Sequence, residues 1–129
     1  MESKSRTWEE IEIGLADGFQ VKITENMIQD FAELSGDKNP LHVASGVAHG
    51  MLLASLFSRF VGMYVPGKHS LYLSQTLNFK HKVYAGDSVR VQGEVVAKSE
   101  ATKLITIKTT LTKSNGEIAL EGEAKVMYV

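Results

Sequence analysis

Residues 36–62 read GDKNPLHVASGVAHGMLLASLFSRFVG, and the fold turns on how this stretch is read. From Val47 to Val61 it is almost uninterrupted apolar sequence, broken by His49, Ser55, Ser58 and Arg59. Ala48, Met51, Leu52, Leu53, Ala54, Leu56 and Phe57 are mostly good helix formers, and the run is long for a single strand. It is too short and too interrupted to span a bilayer, which takes ~20 apolar residues. Gly46 supplies freedom at the start and Gly62 a stop. A helix of about 15 residues is ~22 Å long. Being apolar nearly all round, it should be enclosed, so the remainder of the chain has to wrap it.

The flanking sequence supplies the wrapping. Thr7 to Ile13 alternates weakly and reads as a first strand, after a polar start that should fray. Phe19, Val21 and Ile23 alternate with Gln20 and Lys22, a strand with one buried face. Thr24 is an N-cap, with Glu25 in the first turn. Met27, Ile28, Phe31, Ala32 and Leu34 follow at helical spacing, and Gly36 ends that helix. Beyond the central helix the period changes to two. Leu71, Leu73, Gln75, Leu77 and Phe79 share one face of a long strand. Val89 to Val96 forms the next, in which Gly93 marks a bulge or a close approach. Leu104 to Thr112 alternates again, Asn115-Gly116 is a strong hairpin signal, and Ile118 to Val129 closes the chain. Two short strands and a helix, a buried helix, then four long strands in an antiparallel meander give an α+β domain. Its curved sheet surrounds one helix.

Bulk properties narrow the function. A chain of 129 residues makes one domain, residues 1–129, large enough for a real core. A formal net charge of −1 gives no electrostatic case for nucleic acid or an anionic membrane. There is no cysteine, hence no disulfide framework, thiolate nucleophile or thiolate metal site, and no metal site is expected. The N-terminal MESKSRTWEE lacks an apolar signal core, which predicts a cytoplasmic protein.

Four groups suited to chemistry lie in or just ahead of the apolar run: Asp37, His42, the Gly50 main chain and Ser55. Pro40 biases Asn39 towards an extended backbone, which helps Asp37 and His42 face one space. Each group also has a bland reading. Asp37 can cap a turn and His42 can be a polar loop residue. Gly50 can serve tight helix packing, and the Ser55 hydroxyl can bond back to the preceding turn. His49 reads as structural, orienting the loop before Gly50. Leu53, Phe57 and Leu73 are core by default and candidates to line a tunnel.

GDKNPLH, AHGMLLASLFS and PGKHSLYLSQTLNFKHKVYAGDSVRV together resemble the MaoC-like hotdog proteins, and within them the R-specific enoyl-CoA hydratases, from about Phe19 to the end. The combination of D-x-N-P-x-H, H-G-M and a later G-D before a strand carries the resemblance; each piece alone is weak. It implies a hotdog fold, a homodimer with the acyl-CoA site near the subunit boundary, and no cofactor beyond the coenzyme A of the substrate. The implied reaction is reversible hydration of a trans-2-enoyl thioester, on coenzyme A or acyl carrier protein, to the (R)-3-hydroxyacyl thioester. Asp37 and His42 match the family's catalytic pair, Gly50 its main-chain oxyanion donor, and Ser55 a helical serine lining the site. Lys80 and Lys82, flanking His81, could receive the coenzyme A phosphates. One feature departs from the family. Only Val43–Ala48 separate His42 from His49, where relatives usually carry a longer segment that covers the acyl pocket. That shortening motivates an alternative, a catalytically weak or silent acyl-thioester binder. A hotdog thioesterase is a further alternative, against which D-x-N-P-x-H speaks.

Overall fold

The computed structural model describes residues 1–129. Its elements are β1 (Ala16–Lys22), α1 (Glu25–Ser35), α2 (Pro40–Val43), α3 (Gly50–Met63), β2 (Ser70–Gln75), β3 (Asn78–Phe79), β4 (Ser88–Ser99), β5 (Leu104–Lys113) and β6 (Ile118–Tyr128). One antiparallel sheet runs in the order β1-β4-β5-β6-β2, with β3 also on β6. The expected α+β architecture, a sheet around one central helix, is present.

Alternation drives the sheet onto the helix. Val89, Val91, Gly93 and Val95 of β4 and Ile105, Ile107, Thr109 and Leu111 of β5 are buried, as a period of two requires for a half-buried strand. Opposite them lie Leu52, Leu53, Leu56, Phe57, Phe60 and Val61 of α3. Phe60 is fully buried and sits over Gly93, where a built Cβ would lie 2.3 Å from Cε1 of its ring. Gly93 is therefore a close approach; the bulge in β4 falls at Val95/Ala97 instead.

Several expectations are corrected. α3 begins three residues after Val47, which forms a bridge to Tyr84, and it runs through Gly62 to Met63. It is not wholly enclosed: Met51, Ser55, Ser58 and Arg59 are exposed along one side. The last four strands do not form one meander. β4-β5-β6 do, but the Ser70–Phe79 run pairs with β6, and β1 takes the free edge of β4. That run is also broken in two. A bulge falls between Tyr72 and Ser74. The Thr76 carbonyl then lies over Gly122, 1.7 Å from where a Cβ would stand. Tyr72 consequently turns toward the core, while Leu71, Leu73 and Phe79 are 51%, 50% and 52% exposed.

Thr7–Ile13 is not a strand but a strap of turns anchored by buried Trp8 and Ile11. Nor does the polar start fray. Lys4 N–H donates to the Met63 carbonyl, Lys68 N–H donates to Lys4, and Ser5 bridges to Gly67. These partners lie some sixty positions away, beyond any local pattern. Lys4 Nζ and Arg6 Nη2 meet Asp17 Oδ2 at 2.7 and 3.3 Å. Partial burial alone would push the Asp17 carboxyl up. Lys4, the Gly18 N–H and Arg6 outweigh it and hold the carboxyl below the usual carboxylate range.

Two measurements probe this frame. Gly93→Ala should cost about 1–3 kcal/mol in urea unfolding, because the fully buried Phe60 ring has nowhere to go. Asp17 has a lowered folded pKa, so its stabilisation is present above its unfolded value of about 3.9 and is lost as pH falls through the folded one. Asp17→Asn should thus lower the thermal midpoint at neutral pH, and the difference from wild type should shrink below about pH 4.

Candidate active site

Local sequence builds the first half of the site. Gly36 takes φ 80° and ends α1. Asp37 Oδ1 then accepts from Asn39 N–H at 3.2 Å, and Asn39 Oδ1 accepts from Leu41 N–H at 2.9 Å to cap α2. Asn39 is extended at φ −56°, ψ 132°, as a following proline demands. The bland reading of Asp37 as a turn cap is therefore correct for one oxygen. The other, Oδ2, lies 3.8 Å from His42 Nε2.

The tautomer of His42 follows from its other nitrogen. Nδ1 lies 2.7 Å from the Val47 carbonyl oxygen, which can only accept, so Nδ1 carries the proton. In the neutral ring Nε2 then presents a lone pair towards Asp37. Two proton acceptors face each other, too far apart for a direct hydrogen bond. The short Val43–Ala48 connection does not pull them apart. Ser45 N–H donates to Pro40, Gly46 turns at φ 71°, and Ala48 N–H donates to the Val83 carbonyl.

Gly50 opens α3. Its N–H has no acceptor in the chain, as expected for a first-turn donor, and it carries the positive end of the helix dipole. A Cβ at Gly50 would stand 2.7 Å from Cε1 of Phe79, so tight packing is a second reason for glycine there. Asp37, His42, His49, Gly50, Met51, Phe31 and Phe79 line a cleft of about 370 Å³. A second cleft of about 320 Å³ shares His42, Gly50 and Phe79 with it, and adds Leu41, Leu53, Lys80 and Lys82. A hollow of about 410 Å³ at the start of α1, lined by Lys22, Thr24 and Glu25 among others, holds none of these groups.

The fold thus brings Asp37, His42 and Gly50 to one place, with Lys80 and Lys82 beside them. Lys80 is paired with Glu121 at 2.7 Å, and this contact holds the Glu121 carboxyl below its usual range. Lys82 has no such partner. Ser55 stands apart: it is exposed, lines neither cleft, and its hydroxyl donates to the Leu52 carbonyl at 2.6 Å. Of the tunnel candidates, Leu53 lines the second cleft, Phe57 is core, and Leu73 lies on the edge strand. Sequence reasoning missed Phe31, Met51 and Phe79 as site residues. For Phe79 the signal was available: an aromatic beside Lys80 at a strand end.

A curved sheet around one helix, with an acid, an imidazole and an unpaired main-chain N–H gathered beside that helix's first turn, defines a hotdog domain. The chain belongs to the MaoC-like domain family, whose model matches residues 16–116, a family that includes hydro-lyases. It is 44% identical over 106 residues to the (R)-specific enoyl-CoA hydratase of Aeromonas caviae, spanning 74% of this chain and 79% of that one. It is 33% identical to the 3-hydroxybutyryl-CoA dehydratase of Methylorubrum extorquens, over 92% of this chain and 82% of the relative. Among solved structures, the (R)-hydratase of A. caviae involved in PHA biosynthesis superposes with a TM-score of 0.89 at 37% identity, covering 94% of this chain and 99% of that one.

Gly50→Ala separates packing from site geometry. Helix propensity favours alanine, while the Phe79 ring is half exposed and able to move, so stability should change by less than about 1 kcal/mol. The Phe79 ring resonances should shift; an unmoved ring would show that the two residues do not touch.

Proposed function

We propose that this protein catalyses the reversible hydration of trans-2-enoyl thioesters of coenzyme A to (R)-3-hydroxyacyl thioesters. The observation that carries this reading is the pair of facing proton acceptors, Asp37 Oδ2 and His42 Nε2, at 3.8 Å. A water about 2.8 Å from each satisfies both, donating one hydrogen to the carboxylate and one to the imidazole. Its remaining lone pairs are then free to attack the β-carbon. As the new C–O bond forms, one water proton passes to the pair, and electron density moves through the double bond to the thioester oxygen. The Gly50 N–H, at the positive end of α3, is the donor suited to that developing charge. Return of a proton to the α-carbon completes the addition of water, and elimination runs the same path backwards.

Hydrolysis of the thioester would need a nucleophile or activated water aimed at the carbonyl carbon. The names of the relatives favour hydration. Lys82, unpaired at the mouth of the second cleft, is the stronger candidate for a coenzyme A phosphate; Lys80 is already engaged by Glu121. Ser55 has no step in this mechanism. The acting unit in this proposal is a homodimer, supported by the exposed Leu71 and Leu73 on the edge strand β2.

Loss of enoyl-thioester absorbance on adding crotonyl-CoA, with 3-hydroxybutyryl-CoA as product, is the direct test. Asp37→Asn keeps the Oδ1 acceptor of the turn but removes the charge. Its kcat should fall by about 10²–10⁴-fold with the thermal midpoint nearly unchanged. Binding of the thioester without turnover, or release of free coenzyme A alone, would overturn the proposal.

A further inference from the structure

His49 is 2% exposed and lies between three parts of the site. Its Nε2 is 2.9 Å from the main-chain oxygen of Asp37, which can only accept, so Nε2 carries the proton. Its ring stacks on that of His42, with centroids 4.0 Å apart and planes 22° from parallel. Phe31 of α1 closes the other approach at 4.9 Å. The residue is also the N-cap of α3, though its side chain caps no N–H there.

One atom is anomalous. Nδ1 of His49 is buried with no hydrogen-bond partner, and an orphaned buried polar atom is destabilising. Phenylalanine would fill the space without that penalty, and glutamine could donate to Asp37 without a ring. Imidazole offers both a flat face for His42 and a donor at its far corner, in a smaller ring system than tyrosine or tryptophan. We propose that His49 is the positioning residue of the Asp37–His42 pair, holding the Asp37 main chain by Nε2–H and the His42 ring by stacking. The two stacked rings carry opposite tautomers: Nδ1–H in His42, bonded to Val47, and Nε2–H in His49, bonded to Asp37. Gly50 follows His49 directly at the start of α3, so one residue adjoins the carboxylate, the imidazole and the main-chain N–H. Its link to catalysis rests on the hydration reading above.

Nitrogen NMR of the full chain at about pH 8, where an ordinary histidine is neutral, reads the tautomers directly. The expected result is Nδ1–H for His42 and Nε2–H for His49. The same tautomer in both rings, or Nδ1–H in His49, would overturn the assignment whether or not any substrate is turned over. Kinetics with crotonyl-CoA supply the second arm. His49→Phe keeps the stack and loses the donor; His49→Gln keeps the donor and loses the stack. Each should lower kcat by about tenfold or more, since small displacements of reacting groups are costly, while KM stays within about threefold, as expected when ground-state binding is untouched. Wild-type kcat in both variants would sink the positioning role. Absence of turnover by the wild-type chain would instead remove the hydration reading and leave the tautomers to decide the inference. If either variant fails to fold, the NMR result on the unaltered chain decides.

Discussion

The seating of α3 against the sheet is the constraint on which the rest depends. Phe60 fits because β4 has no side chain at Gly93. With that contact made, Leu53, Leu56 and Phe57 follow into the core. The seating also fixes where the helix starts. Its first turn lands beside the α1–α2 loop, so the Gly50 N–H and the His49 ring arrive where Asp37 and His42 already are. A packing requirement in the middle of the helix thereby places a donor at its end.

At that end, the geometry is set by main-chain carbonyls rather than by charge. The Val47 carbonyl selects the His42 tautomer, and the Asp37 carbonyl orients His49. Asp37 divides its oxygens, one holding the turn and one facing the imidazole. A structural role and a chemical role therefore coexist in one side chain, and neither reading of Asp37 excludes the other. The short connection after His42 is compatible with this because its own turn is fully hydrogen-bonded through Gly46 to Val83.

Two pairs among the exposed apolar residues are notable for where they lie. Leu71 and Leu73 sit on β2, an edge whose outer backbone groups have no partner within the chain, while Met51 and Phe79 border the cleft. An edge strand with apolar side chains is a surface that proteins seldom leave bare. The Tyr72 hydroxyl, on the inner side of the same strand, is pushed up to about 12 by burial. β2 thus turns Tyr72 toward the core and presents Leu71 and Leu73 to the outside.

Much of the local architecture was legible in the sequence. The Thr24 and Gly36 caps, the extended Asn39 before Pro40, the helical run of α3 and the alternation of β4 and β5 depend on contacts only a few residues long. Short-range sterics and hydrogen bonding decide those. Asp37, His42 and Gly50 were singled out by the family motifs they match, and they lie together because those motifs fall on a local turn and a helix start. What only the tertiary structure decided lies at long range. The Ser70–Phe79 run could pair with either neighbour, and its place on β6 depends on Thr76 passing over Gly122, nearly fifty positions on. The N-terminal strap, Phe79 over Gly50 and the stacking of His49 on His42 likewise arise from the way distant or adjoining elements dock. An imidazole's partners are chosen by that docking, since the pattern of neighbouring residues says only that a histidine is present.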